Sequence, residues 1–328
     1  MKGRRPAWVV GVDIGGTNLR VGTVPLEGGA PPVAVRRRST RAASGSDRVL
    51  DRLVTMIRES VADVGRDNVA GIGLGAPGPL DRASGVVTET PNLGWRDYPL
   101  RDLVAEACGL PVTLDNDANC FTYGEWWMGA GRGSRRLVGI TLGTGIGGGI
   151  VIDGEIHHGA SGAAGEVGHM SIDFRGRRCP CGARGCIEAY ASGPAIAVRA
   201  VEAIADGGDS ILASMVGGDL GEITAEIVCR AAAAGDPHAD GVVRDTARIL
   251  ATAVTNLIHL LNPDAVVIGG GVANAGDRLL RPLRREVRRR VFGAHMRACR
   301  IVQSELGDSA GVIGAAGVFM RAHHGRPR

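Results

Sequence analysis

Two glycine turns, far apart in the chain and each set between β-branched runs, constrain this sequence more than any other feature. Trp8 to Ile14 and Leu19 to Val24 flank Gly15-Gly16-Thr17-Asn18, the pattern of a hairpin. Leu137 to Leu142 and Gly149 to Ile152 flank a second turn, Gly143 to Gly148. After the first hairpin come a third strand (Val33 to Ser39), a helix over Asp47 to Val64 and a buried strand over Val69 to Leu74, ended by Gly75-Ala76-Pro77-Gly78. A helix over Leu100 to Cys108 and a short strand over Pro111 to Leu114 complete the first ~115 residues. The second half repeats the opening, then places a long helix at Asp240 to Leu261, a strand at Ala265 to Ile268 and Gly269-Gly270-Gly271. A structural duplication in the α/β class follows, its halves packed around a cleft, with an irregular Cys- and Gly-rich insert at roughly 153–193.

Composition narrows the class. Of 328 residues 44% are apolar and 22% charged, which excludes disorder as the main state and matches about two domains. The 52 glycines follow no G-X-Y period, so collagen is excluded, and 3% aromatics imply packing by small side chains. The 38 basic and 34 acidic residues are too evenly balanced for a nucleic-acid binder. The basic excess is local, at Lys2, Arg4 and Arg5 and at Arg284 to Arg290. The latter reads as a solvated helix face over an apolar stripe of Leu279, Leu280, Leu283, Val287 and Val291. The longest charge-free stretch, Leu137 to Ile152, holds six glycines and is shorter than the ~18 residues a membrane span needs. With no secretory segment visible, a cytoplasmic protein without membrane contact is expected. Seven cysteines argue against a disulfide framework, and the clustering of Cys179, Cys181 and Cys186 points to metal.

Glycines free the backbone N–H groups of a tight turn to approach an anion, and Asp13, at the end of the first run, has the hard oxygen that a phosphate-bound Mg²⁺ prefers. Gly143-Thr144-Gly145-Ile146-Gly147-Gly148 matches G-x-G-x-x-G literally, yet a strand follows where a dinucleotide fold needs a helix. What remains is a second strand–turn–strand phosphate cradle. Asp115-Asn116-Asp117-Ala118-Asn119 precedes a helix-like stretch, Phe121 to Met128, and suits recognition of hydroxyl groups. Asp117 is the candidate acceptor of a proton from an attacking alcohol, and any of these residues also suits a helix N-cap. His169 with Cys179, Cys181 and Cys186 makes a Cys₃His set of the composition that structural Zn²⁺ takes, flanked by Glu166 and Glu188. His157 and His158 read as surface residues and His259 as a satisfied core histidine. Cys108, Cys120, Cys229 and Cys299 read as isolated, packed thiols.

With these motifs assembled, the sequence resembles the ROK family of sugar kinases and repressors, and within it the bacterial glucokinase branch. The resemblance rests on Asp13 to Arg20, Pro91-Asn92-Leu93-Gly94-Trp95, Asn116 to Asn119, Thr141 to Gly149, Glu166 to His169 and Cys179 to Glu188, and runs from about Val9 to Ala316. It implies the duplicated, ribonuclease H-like fold of actin-like ATPases, with two α/β domains that close on a cleft. The small domain would be 1–115 plus about 307–328, and the large one 116–306. Asp117 would be the catalytic base on the sugar's primary hydroxyl. Asn92, Asn116, Glu166, His169 and Glu188 would hold the other hydroxyls, and His169, Cys179, Cys181 and Cys186 the zinc. Gly11, Asp13, Gly15, Gly16, Thr17 and Asn18 would hold the phosphates of ATP with Mg²⁺, together with Gly143, Thr144, Gly145, Gly147 and Gly148. Gly270 and Gly271 would lie near the nucleoside. Lysine is frequent in the family where this chain has Asn18, and the first loop begins too early for the repressors' DNA-binding segment. The implied activity is ATP-dependent phosphorylation of glucose at its 6-hydroxyl, by a homodimer. Kinases of N-acetylmannosamine, N-acetylglucosamine or fructose are the near alternatives, a polyphosphate donor stays open, and a non-catalytic sugar sensor is the remote alternative.

Overall fold

The structure, a computed structural model, describes residues 6–90, 92–205 and 209–325, so Lys2, Arg4, Arg5 and Pro91 lie outside the described residues. The chain divides into two compact units, one of residues 1–139, 149–165 and 304–328 and one of residues 140–148 and 166–303.

In the first unit the β-branched runs form β1 (Trp8–Ile14), β2 (Asn18–Pro25) and β3 (Val33–Ser39). After α1 (Ser46–Val64) come β4 (Val69–Ala76), then β5 (Leu80–Asp81), β6 (Val86–Thr90) and β7 (Trp95–Tyr98), then α2 (Leu100–Cys108), β8 (Val112–Asn116) and α3 (Asp117–Trp127). The main sheet has the order β3-β2-β1-β4-β8, antiparallel across β3-β2-β1 and parallel across β1-β4-β8. β5, β6 and β7 make a small separate sheet whose strands are too short for their periodicity to be read from sequence. Side chains alternate across β1, so Val10, Val12 and Ile14 join the core under α1 and α2 while Val9 points the other way, to Val312 and Phe319.

β9 (Arg136–Leu142), β10 (Ile146–Ile152) and β11 (Glu155–Ile156) follow α3, and β9 and β10 each contribute to both units. The second unit then holds α4 (Glu188–Ala191), α5 (Gly193–Ala205), α6 (Leu212–Met215), α7 (Ala225–Ala233), α8 (Pro237–Leu261), β12 (Ala265–Gly269), α9 (Asp277–Arg290), α10 (Gly293–Ala298) and β13 (Arg300–Gln303). The second sheet has the order β11-β10-β9-β12-β13, which repeats the first strand for strand and realises the expected duplication. The chain returns to the first unit as α11 (Ala310–His324). This helix approaches α3 backbone to backbone, because a Cβ on Gly314 would stand 1.6 Å from the Cys120 carbonyl oxygen.

Three details depart from the sequence reading. The second turn is confined to 143–145, since β10 starts at Ile146 and Gly147, Gly148 and Gly149 are strand residues. α8 starts at Pro237, because Asp236 caps it by accepting the Ala239 N–H at 2.8 Å and proline is at home in a first helical turn. His259 is exposed near the end of α8, its ring tilted 35° against that of Phe292 at 5.0 Å, so it is no core histidine. The basic run behaves as expected: α9 buries Leu279, Leu280, Leu283 and Val287 and turns its arginines to solvent, several paired with Asp277 or Glu286.

Candidate active site

In the first unit the candidate residues collect at the carboxyl ends of parallel strands, where open α/β sheets place their ligands. Register sets Asp13 of β1 beside Gly75 of β4, and Gly75 beside Asp115 of β8. The turn after β1 is tied down at both ends. The Gly15 N–H donates to the Asn18 carbonyl at 2.9 Å, and the buried Thr40 hydroxyl donates to the Gly15 carbonyl at 2.7 Å. Gly16 and Thr17 are exposed at its tip, with Asn92 against Gly16: a Cβ on that glycine would lie 3.5 Å from the Asn92 Cβ. Gly11 is buried in mid-strand, and its missing side chain admits the backbone of α11, since a Cβ there would stand 2.0 Å from the Val312 carbonyl oxygen. Its position is explained by packing rather than by a place in the turn.

Asp13 is half-buried, and burial pushes its carboxyl above the usual carboxylate range while Arg20, 3.3 Å away, partly restores it. Arg20 also pairs with Asp308 at 2.9 Å, and Arg37 donates to the Asn18 side chain at 3.1 Å. Gly311 at the start of α11 lies against Asp13, where a Cβ would come within 2.6 Å of the carboxyl carbon. None of Arg20, Arg37, Asp308 and Gly311 was singled out as a site residue from sequence. The spacing Gly311, Gly314, Gly317 was the one available signal of a helix face in close contact.

Asn116 and Asp117 stand at the junction of β8 and α3. Asn116 is the N-cap, its side-chain oxygen accepting from the N–H groups of Ala118 at 2.9 Å and Asn119 at 3.2 Å. Asp117 opens the helix, half-buried, and accepts from the Ala118 N–H at 2.8 Å. His158, expected at the surface, instead has a side chain only 19% exposed that hydrogen-bonds from Nε2 to Asp115 at 2.8 Å.

In the second unit Glu166, His169, Glu188 and the second glycine turn form one neighbourhood. The Ile146 N–H donates to Glu188 Oε2 at 2.8 Å. Gly168 packs on the same residue, where a Cβ would stand 2.1 Å from the Ile146 carbonyl oxygen, and this holds the Glu166-to-His169 turn in place. Glu166 and His169 are exposed and Glu188 half-buried. The Gly143 N–H donates to the Gly145 carbonyl at 2.9 Å, and Thr144 is exposed at the tip. Gly270 sits against the end of β9, where a Cβ would lie 2.4 Å from the Leu142 carbonyl oxygen, so Gly270 and Gly271 flank this turn.

His169, Cys179, Cys181 and Cys186 offer ligand atoms that all lie within 4.8 Å of one another. Cys181 Sγ is 3.7 Å from Cys186 Sγ, and Cys179 Sγ is 3.8 Å from His169 Nδ1. Tetrahedral zinc with ordinary bond lengths needs ligand separations of about 3.6–3.8 Å, so the set fits that ion. All seven cysteines are free thiols. Burial pushes the Cys186 thiol up to about 12 and raises Cys179, whereas the Ala183 N–H lowers Cys181.

Two sheets of one strand order, each opening with a strand, a glycine turn and a strand, define an α/β protein of the actin-like ATPase type. The chain belongs to the ROK family, whose model matches residues 9–322. It is 40% identical over 310 residues to a glucokinase of Halalkalibacterium halodurans, covering 94% of this chain and 93% of that one. To a glucokinase of Thermotoga maritima it is 38% identical over 312 residues, with 95% and 96% covered. A crystal structure of a ROK family glucokinase from Streptomyces griseus in complex with glucose and AMPPNP matches with a TM-score of 0.84 at 35% identity, covering 95% of this chain and 98% of that one.

Proposed function

We propose that this protein is a glucokinase, transferring the γ-phosphoryl group of ATP to the 6-hydroxyl of glucose. The observation that carries the reading is the Glu188–Ile146 hydrogen bond, which ties a carboxylate suited to sugar hydroxyls to the backbone of a phosphate-cradling turn. Asn92, Asn116, Glu166, His169 and Glu188 hold the hydroxyls of the sugar. His169 Nδ1 lies 3.8 Å from Cys179 Sγ, which leaves its Nε2–H to donate to the substrate. Zinc, when bound there, contributes folding energy to the 153–193 insert and does no chemistry.

Asp117 accepts a hydrogen bond from the 6-hydroxyl, holds that hydroxyl oxygen in line with the γ-phosphorus, and takes its proton as the new O–P bond forms and the P–O bond to the departing ADP breaks. Phosphoryl transfer gains more from such positioning than from basicity, so an ordinary carboxylate serves. N–H groups at the tips of the glycine turns, Gly16–Thr17 in the first and Thr144–Gly145 in the second, donate to the phosphates while the Gly15 and Gly143 N–H groups brace the turns themselves, with Gly147 and Gly148 continuing the second cradle and Gly270 and Gly271 beside the nucleoside. Asp13 has the hard oxygen that a hydrated Mg²⁺ prefers and would hold that ion, which would supply neutralisation of the phosphate charge. The reading takes the enzyme as a cytoplasmic homodimer that contacts neither nucleic acid nor membrane. Among the described residues no helix is long and apolar enough to cross a membrane.

An assay crossing glucose, fructose, mannose, N-acetylglucosamine and N-acetylmannosamine with ATP and with polyphosphate tests the proposal. Glucose with ATP is expected to give the highest kcat/KM. Turnover of an N-acetylated hexose in preference to glucose, or none with any pair, overturns it.

A further inference from the structure

Asp115 is fully buried one residue before the helix-capping Asn116, and each of its carboxylate oxygens has two partners. Oδ1 accepts from the Asn116 N–H at 2.8 Å and from Asn119 Nδ2 at 3.0 Å. Oδ2 takes His158 Nε2 at 2.8 Å and Arg82 Nε at 3.1 Å. A carboxylate withdrawn from water is costly unless paired and hydrogen-bonded, so the β8–α3 junction keeps this conformation only while donors from elsewhere in the chain are in place. Arg82 comes from the turn after β5, and His158 from the segment that follows β11. Neither belongs to the strand or helix that carries Asp117.

We propose that His158 and Arg82 are positioning residues for phosphoryl transfer, acting through Asp115 on the Asn116 cap and hence on the orientation of Asp117. This rests on the reading of Asp117 as the base. A cavity of about 370 Å³, lined in part by Thr113, Tyr123, Glu155 and Arg321, opens beside Asp115 and His158. Without the imidazole, water from this cavity reaches Oδ2. The carboxylate then turns toward it, its grip on the Asn116 N–H loosens, and the first turn of α3 is no longer held at one angle. Misplacement of a reacting group by about 1 Å costs on the order of 100-fold in rate.

The test is steady-state kinetics and thermal unfolding of the full chain carrying His158→Ala, His158→Gln, Arg82→Ala, Asp117→Asn or, as a control on the exposed neighbour, His157→Gln. The expected result is a kcat for H158A and R82A lowered about 10- to 100-fold per folded molecule, with the KM for ATP within about two-fold of wild type. H158Q, which returns an N–H near the position of Nε2, recovers most of the loss, and H157Q matches wild type. A purely structural role would lower the unfolding temperature of H158A while leaving kcat per folded molecule intact, and that result overturns the proposal. So does an H158Q enzyme no better than H158A; should H158A fail to fold, H158Q and R82A carry the test. If D117N keeps wild-type turnover, the reading of the base itself falls; if D117N is inactive while H158A and R82A are fully active, only the positioning role falls.

Discussion

Glu188 Oε2 accepts a 2.8 Å hydrogen bond from the backbone N–H of Ile146, so a candidate sugar ligand and the second glycine turn are held to each other. A Cβ on the preceding Gly145 would stand 2.6 Å from that same oxygen. The obstruction is the far end of a flexible side chain, so Gly145→Ala moves the carboxylate rather than the backbone. We expect an unfolding temperature close to wild type and a Kd for glucose raised about ten-fold, the scale of one hydrogen bond to a charged group. Calorimetric titration with glucose checks this, and unchanged affinity would remove Glu188 from the sugar site.

Asp117→Asn preserves shape and removes the proton acceptor. The expected loss in kcat is on the order of 10²- to 10⁴-fold, with glucose still bound. Coupled detection of ADP with a parallel glucose titration measures both quantities, and near-normal kcat would reject Asp117 as the base.

Metal analysis of the purified protein is expected to find zinc stoichiometric with chain, lost in Cys186→Ser. Burial holds the Cys186 thiol up to about 12 and raises that of Cys179, so both are protonated at neutral pH without the ion. Zinc takes thiolates, so binding releases protons and apparent affinity weakens as pH falls. Titrations in buffers of different ionisation enthalpy count those protons; pH-independent affinity would contradict the assignment. Stripping zinc is expected to weaken glucose binding, because His169 then loses its anchor.

Burial raises the pKa of Asp236, but donors from Ala239, Ser210 and Ile211 outweigh it and hold the carboxyl below its ordinary 3.8. A lowered folded-state pKa stabilises the fold above the unfolded-state value, and the contribution is lost as pH falls through the folded one. Asp236→Ala is expected to cost about 2 kcal/mol at neutral pH, shrinking below pH ~3.8. Urea unfolding across that range checks it; a pH-independent difference would place the effect elsewhere.

Gly314→Ala sets a methyl group 1.6 Å from the Cys120 carbonyl oxygen, and neither helix backbone can yield without moving the start of α3. We expect a loss above about 3 kcal/mol, at the upper end of overpacking costs, with activity falling alongside stability. An enzyme of wild-type stability would show that α3 and α11 are not in close contact.

Local sequence set the pieces whose physics is local. The hairpin around Gly15 and Gly16, the apolar stripe of α9 and the spacing of Cys179, Cys181 and Cys186 are written in periodicity, turn chemistry and ligand type, and each is found in the structure. Repetition of strand, turn and strand also revealed the duplication, because both copies carry the pattern in full. Packing against residues remote in the chain decided the rest. Gly11 lies in the first motif by sequence but is fixed by Val312, and His158, one of two adjacent polar residues, is drawn inward by a buried carboxylate that β8 supplies. Where α11 meets α3 and which donors reach Asp115 depend on distances between segments, and a linear pattern encodes residue types at intervals, not the partners that folding brings within 3 Å of them.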